Sequence, residues 1–243
     1  MKLELTEARL LDMWETGSGQ EPPARALLLA GAAADGTDTA GPVAGLTLAE
    51  LNALLLDLRE TCFGETFPCA TDCPGCDEQL EVAVTTDELR APRTRVPPGR
   101  RQRTDSLRAD GCEVTYRALT GGDLLAVDPS APDARRTLLS RCVVGAEPAS
   151  DVLPDAVLEA VAERLGALDP GADTAVPLTC PYCRHSWSAT FDLAGYVWAE
   201  IEGYARRLLH QVHMLARGYG WTESDALAVS PLRRQFYLEA VAG

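Results

Sequence analysis

Apolar residues recur every three or four positions over residues 194–217, at Val197, Ile201, Tyr204, Leu208, Val212 and Leu215, with Tyr219 just beyond. That spacing predicts one long amphipathic helix, roughly 35 Å at about 1.5 Å per residue. Its other face carries Glu200, Glu202, Arg206, Arg207 and Gln211, too polar a set for a membrane span, so one side needs a protein surface to cover. The same period appears at Leu51, Leu54, Leu55 and Leu58. Thr47 and Glu50 have the spacing of a capping box at the start of that helix, and Gly64 ends it. Leu10, Leu11 and Trp14 place a helix over 6–15, and 25–33 reads as a second, short one. Thr222 and the pair Ser230-Pro231 are helix starts near the C-terminus, giving two short final helices.

Four other stretches alternate with period two, as half-buried strands do. Leu80, Val82 and Val84 alternate with Glu81, Ala83 and Thr85; Trp187, Ala189 and Phe191 alternate with Ser188, Thr190 and Asp192. Thr174, Val176 and Leu178 form a third strand, and Cys112, Val114 and Tyr116 a fourth. Helical patterns over 134–142 and 154–165 follow the fourth. Residues 34–45 read as a loop. Residues 90–108, with seven arginines, three prolines and no apolar periodicity, read as an exposed linker.

With 46% apolar residues in 243, the chain can bury a sizeable core. The formal net charge of −14 opposes phosphate backbones and makes nucleic acid a disfavoured partner. The first residues lack a charged segment followed by an apolar one, and the apolar run 24–34 is too short to span a bilayer, so the expectation is a soluble, cytoplasmic protein.

Cysteine chemistry sharpens this picture. CPGC at 73–76 and CPYC at 180–183 are two C-P-x-C turns, each leading into a strand. Four thiolates presented by two such turns suit a tetrahedral Zn²⁺ at about 2.3 Å, so Cys73, Cys76, Cys180 and Cys183 are the predicted metal ligands. The 103 residues between Cys76 and Cys180 exceed the spacing of simple ribbons, so the site closes over an insertion or the turns are two unrelated pairs. Cys69 offers a third sulfur on the first side, and His185 lies just past Cys183, although a fifth ligand would exceed four-coordination. A redox role for either C-x-x-C is the rival reading, but the following strands do not suit the βαβ setting of thioredoxin-like motifs. Cys62, Cys112 and Cys142 lack spacing partners and read as apolar residues. His210 and His213, three apart on the long helix, suggest no third ligand and read as polar-face residues.

The resulting fold class is α+β, mostly helical, with a small antiparallel zinc-ribbon-like sheet split by an inserted α+β subdomain. Residues 1–64 are an N-terminal helical segment, 65–89 and 172–193 the two halves of the ribbon-like module, 90–171 the insertion with its linker 90–108, and 194–243 a C-terminal helical segment.

The block GYGWTESDALAVSPLRRQFYLEAV at 218–241 follows a helix that carries WAEI at 198–201. Earlier come LTLAELNALLLDLRETCFG at 46–64, the two C-P-x-C turns, and DPGADTAVPLTCPYCRHSWSATFDL at 169–193. In that order these segments resemble the T-even-like phage baseplate protein family, encoded with contractile tails and phage-tail-like injection systems. The resemblance covers most of 46–241. One departure is that many related zinc turns carry glycine after the second cysteine, where a left-handed backbone is convenient, whereas Asp77 and Arg184 stand here.

What the resemblance implies is a structural or assembly role in a baseplate, with other baseplate, tube or spike proteins as partners and no catalytic residues. The chain also lacks a nucleophile with a patterned base, a phosphate loop and an H-E-x-x-H motif, which agrees with a non-enzyme. The alternative is a zinc-ribbon nucleic-acid-binding protein that uses 90–108 as its electrostatic contact.

Overall fold

Thr6 accepts a hydrogen bond from the N–H of Arg9 and starts helix α1 (Glu7–Gly17), satisfying a backbone donor that would otherwise lack a partner. The computed structural model describes residues 6–34, 43–90, 104–149 and 152–242. It is a mixed α+β structure, 56% helical, with small antiparallel sheets. Helix α2 (Pro22–Ala34) begins with two prolines, whose missing N–H costs nothing in a first turn. Most of the predicted loop, 35–42, lies outside the described residues. Both halves of the predicted capping box are present at Thr47 and Glu50. Helix α3 (Leu48–Phe63) ends at Gly64, whose φ of +88° is open to glycine and strained for other residues.

Strand β1 (Thr66–Asp72) pairs antiparallel with β2 (Gln79–Thr85), from Thr66 opposite Thr85 to Asp72 opposite Gln79. Sequence patterning misses β1 because Pro68 interrupts it, yet a proline is tolerated where a strand side is unpaired, as in this two-stranded sheet. One helical turn, α4 (Thr86–Leu89), follows. Strands β3 (Thr104–Ala109) and β4 (Cys112–Arg117), helices α5 (Gly121–Leu125) and α6 (Ala134–Cys142), strand β5 (Val143–Glu147) and helix α7 (Asp155–Leu168) come next, with sheet order β3-β4-β5. The expected linker 90–108 is thus corrected in part: 91–103 lie outside the described residues, but 104–108 are strand, with Leu107 buried against α7 and Val114. Asp105 and Arg108 on its polar positions hide the alternation. Strands β6 (Ala175–Thr179) and β7 (Ser186–Thr190) form a third hairpin, leading into α8 (Leu193–Tyr219), α9 (Glu223–Ala228) and α10 (Pro231–Ala242).

The main core joins α1, α2, α3 and α8 with Phe67 of β1, Val84 of β2 and Val176 of β6. Strands β3 and β4 with helices α6 and α7 bury a second cluster around Val114, Tyr116, Val157 and Val161. Polar contacts join the two: Asp169 accepts from the Thr47 hydroxyl and the Ala49 N–H at 2.9 and 3.0 Å, and the Asn52 amide donates to the carbonyls of Gly171 and Ala172.

Gly17 illustrates how closely α1 approaches α8. A Cβ there would meet the Trp198 ring at 2.4 Å, and that ring is buried beneath the Arg25 guanidinium. Gly17→Ala is expected to cost about 1–3 kcal/mol by overpacking, overriding alanine's better helix propensity. A lower urea midpoint with unchanged slope is the expected reading.

Asp123 is buried and accepts hydrogen bonds from Arg117, Arg141 and both the N–H and hydroxyl of Thr120. Burial opposes its charge, but the Arg117 and Thr120 contacts outweigh it and hold the carboxyl well below the usual carboxylate range. A depressed folded-state pKa contributes stability above the unfolded value of about 3.9, lost as pH falls toward the folded value. Asp123→Asn is therefore expected to lower stability near neutrality and to flatten the loss of stability below about pH 4, measured by denaturant midpoints across the acid range.

Helix α8 extends the predicted helix by a residue or two at each end, and two assignments on it change. Tyr219 is exposed, not part of the buried stripe, because the core ends at Leu215. Glu200, expected on the solvent face, instead accepts from the buried Arg59 of α3.

Candidate metal centre

Each C-P-x-C turn connects two strands of its own hairpin, β1 to β2 and β6 to β7, and the two turns have the same backbone pattern. The Cys73 N–H donates to the Glu78 carbonyl and the Asp77 N–H to the Cys73 carbonyl, at 2.9 and 2.8 Å. The Cys180 N–H donates to the His185 carbonyl and the Arg184 N–H to the Cys180 carbonyl, at 2.9 and 3.0 Å. The residue after the second cysteine is left-handed in both, with φ +58° at Asp77 and +60° at Arg184. That is the conformation for which glycine is the usual choice. This chain adopts it twice without glycine, because the tight loop must reverse within one residue to enter the next strand.

The two turns meet. The Sγ atoms of Cys73, Cys76, Cys180 and Cys183 all lie within 4.8 Å of one another. Cys73 Sγ is 3.6 Å from Cys183 Sγ and Cys76 Sγ is 3.7 Å from Cys180 Sγ, so both short contacts run between turns. A tetrahedron with metal–sulfur bonds of about 2.3 Å has edges of about 3.8 Å. The donor set therefore fits one tetrahedral ion, and the reading of two unrelated pairs is excluded. Four cysteine sulfurs complete that geometry without leaving a position for water or substrate.

Packing sets the two members of each turn apart. Cys73 and Cys180 are buried with Leu80, against Val82 and Trp187, whereas Cys76 and Cys183 face outward. The Gly75 N–H points at Cys73 Sγ at 3.4 Å. The Cys183 N–H favours the Cys180 thiolate, burial opposes it, and the Tyr182 N–H adds to the first effect, bringing this thiol down to about 7. By contrast burial, with Glu200 adding, pushes the Cys62 thiol up to about 11, and burial does the same at Cys142. Raised thiols suit inert packing at Cys62 and Cys142; Cys76 and Cys183 are also raised, although the N–H groups of Glu78 and His185 favour their thiolates, so the closeness of the four sulfurs and not their acidity marks the site.

Gly75 and Tyr182 occupy matching places in the two turns, but their surroundings differ. A Cβ at Gly75 would stand 2.9 Å from the His185 Cβ and 3.4 Å from Cys183 Sγ, so the first turn needs glycine to let the second approach. Tyr182 points to solvent. His185 lies outside the four-sulfur cluster; its exposed ring stacks on Trp187 at 6.0 Å and 19°. Cys69 is likewise outside the cluster, on β1, packed against the main core with its thiol donating to the Phe67 carbonyl. His210 and His213 are exposed on α8 and join no metal-ligating group among the described residues. Cys142 is buried, while Cys62 and Cys112 are half-buried.

Sequence reasoning missed the buried pair that supports this module from below. Arg59 donates to both carboxylate oxygens of Glu200 at 3.1 and 3.0 Å, to the Thr66 carbonyl at 2.6 Å and to the Gly64 carbonyl, and its guanidinium lies 4.3 Å over the Phe67 ring. One signal was present: Arg59 stands four residues after Leu55 and next to Leu58, inside the apolar stripe of α3. No helix among the described residues is long and apolar enough to cross a membrane. No family model, curated protein or solved structure matches this chain, so the residues and their geometry carry the functional reading.

Proposed function

We propose that the protein is a non-enzymatic structural or assembly component of the baseplate of a contractile, phage-tail-like injection system, fastened by one structural Zn²⁺ on Cys73, Cys76, Cys180 and Cys183. The observation that carries the metal role is the closed set of four sulfurs drawn from two distant hairpins. Such a site supplies folding free energy, because the unfolded chain does not preform it. In this reading 65–89 and 172–193 are the halves of a zinc-ribbon-like module, and 90–171 is a subdomain inserted between them. Support comes from the separate core around Val114 and Val157 and from the two hairpins, each hydrogen-bonded as its own two-stranded sheet.

The baseplate assignment rests on the ordered resemblance of 46–64, 169–193 and 218–241 to that family. The nucleic-acid alternative loses ground where its basic segment is described, since Arg108 is an element of β3 paired with Glu113 and the net charge is −14. The test is twofold. Purified protein is expected to carry one zinc per chain by elemental analysis, and the tagged chain to co-purify with sheath, tube or spike proteins. Normal assembly and contraction of particles in a deletion strain would overturn the assembly role.

A further inference from the structure

The four sulfurs differ in access, and the difference is paired across the turns. Cys76 and Cys183 are exposed, whereas Cys73 and Cys180 are fully buried. Each exposed sulfur stands close to a buried one of the opposite turn: Cys76 Sγ is 3.7 Å from Cys180 Sγ, and Cys183 Sγ is 3.6 Å from Cys73 Sγ. A dithiol protein of the thioredoxin type oxidises within one C-x-x-C; both contacts here run between the two turns. Packing holds the turns at this distance. Leu80, Val82 and Trp187 surround the buried pair, and Gly75 lets the His185 Cβ approach, to 2.9 Å from where its own Cβ would stand. Each hairpin is also paired along its whole length by its own strands. The other four cysteines lie elsewhere: Cys142 is buried, Cys62, Cys69 and Cys112 are half-buried, and none joins the cluster.

This arrangement gives each accessible sulfur a resolving partner. A metal-held cysteine is a thiolate, the form that attacks electrophiles, so the outward members are open to a small oxidant such as hydrogen peroxide. The Cys76 thiolate attacks one peroxide oxygen; an S–O bond forms, the O–O bond breaks and hydroxide leaves, giving a sulfenic acid. The Cys180 thiolate then attacks that sulfur; an S–S bond forms, the S–O bond breaks and a second hydroxide leaves. One peroxide is reduced by two electrons for each disulfide, and the same sequence at Cys183 and Cys73 uses a second peroxide. A disulfide sulfur is no longer a thiolate donor, so oxidation abolishes the metal site. The join between the hairpins survives it, because both new bonds run from one turn to the other. Cross-links that close long loops restrict the unfolded chain most, and these close more than a hundred residues.

We propose that the four-cysteine site is a redox-convertible staple: in reducing surroundings it fastens the two hairpins through a metal, and peroxide-class oxidants convert it into the crossed disulfides Cys76–Cys180 and Cys73–Cys183, which keep the hairpins fastened. This rests on the metal reading of the site and is independent of the baseplate assignment. For the test, the full chain is purified with reductant, loaded with zinc, desalted and treated with hydrogen peroxide. The expected result is release of one zinc per chain to a chromogenic chelator, the two crossed bridges in a peptide map, and Cys62, Cys69, Cys112 and Cys142 still open to alkylation after unfolding. The oxidised, zinc-free protein is expected to melt about 10 °C or more above reduced protein stripped of zinc by a chelator. Cys76→Ser and Cys183→Ser are each expected to leave only the other bridge, and Cys69→Ser to leave both. Bridges within one turn, a bridge to Cys69, sulfinic acids without bridges, thiols that resist a large excess of peroxide, or an oxidised form no more stable than the stripped one would overturn the proposal. If the reduced chain binds no zinc but still forms the crossed bridges, the pairing stands and the metal reading falls. One zinc per chain with bridges inside each turn gives the reverse.

Discussion

Replacing Cys180 by serine is expected to abolish metal binding and to lower the melting temperature by about 10 °C or more, and replacing Cys73 is expected to do the same. Both residues lie at the buried centre of the cluster, and their sulfurs make the short contacts to the opposite turn. Apparent binding free energies of structural zinc sites run to about 10–16 kcal/mol, so losing even a fraction outweighs most single substitutions. At this chain length each kcal/mol moves the midpoint by about 2–4 °C. Equal losses from the two substitutions follow from one shared ion; a silent substitution at either cysteine would disprove the shared site. Cys69→Ser provides the contrast, since its thiol lies on β1 against the main core, and it is expected to leave one zinc per chain in place. Chelator challenge followed by thermal unfolding gives the same readout without mutation.

Arg59→Met is expected to cost about 3–5 kcal/mol, the loss seen when one partner of a buried ion pair is removed. Arg59 is 2% exposed, and its guanidinium answers the Glu200 carboxylate and the carbonyls of Gly64 and Thr66. Its removal leaves a partly buried charge and two carbonyls short of a donor. The double variant Arg59→Met with Glu200→Leu is expected to recover part of that stability, because the orphaned charge is gone. The recovery is incomplete, since unsatisfied buried carbonyls still cost about 1–3 kcal/mol. Urea midpoints of the two single variants and the double variant measure the coupling. Near-additive losses would mean that Arg59 serves the Gly64 and Thr66 carbonyls and not Glu200. Because Arg59 links α3, β1 and α8, its loss is also expected to loosen the first hairpin and weaken metal retention.

Local chemistry explains which parts of this structure were readable in advance. The capping box at Thr47 and the N-cap at Thr222 form as the residue spacing requires, because a cap involves only four consecutive residues. The α8 stripe from Val197 to Leu215 is buried because its 3.6-residue period leaves it one face to bury. Strands β1, β3 and β5 were not legible. Pro68 interrupts the first, charged side chains occupy the second, and the third is a short edge strand with Val144 and Gly145 facing solvent, so none shows a clean alternation.

The candidate site divides along the same line. Two C-P-x-C turns, four thiols and the exclusion of extra ligands by coordination number follow from residue types and spacing alone, because turn geometry and metal chemistry are local. That the four sulfurs converge across 103 residues depends on α3 and α8 packing together and carrying their hairpins to one place. Gly75 is needed because His185 comes to rest against it, and no pattern around residue 75 contains that contact. Glu200 reads as solvent-facing until α3 brings Arg59 to it, and no local pattern shows that Arg234 takes the inner face of α10 to meet Glu7. The sequence by itself determined the longer helices, four of the strands, the caps at Thr47 and Thr222 and the ligand chemistry, all short-range properties of the chain. Only the tertiary structure decided which faces meet, since that choice is made by contacts between residues more than a hundred positions apart.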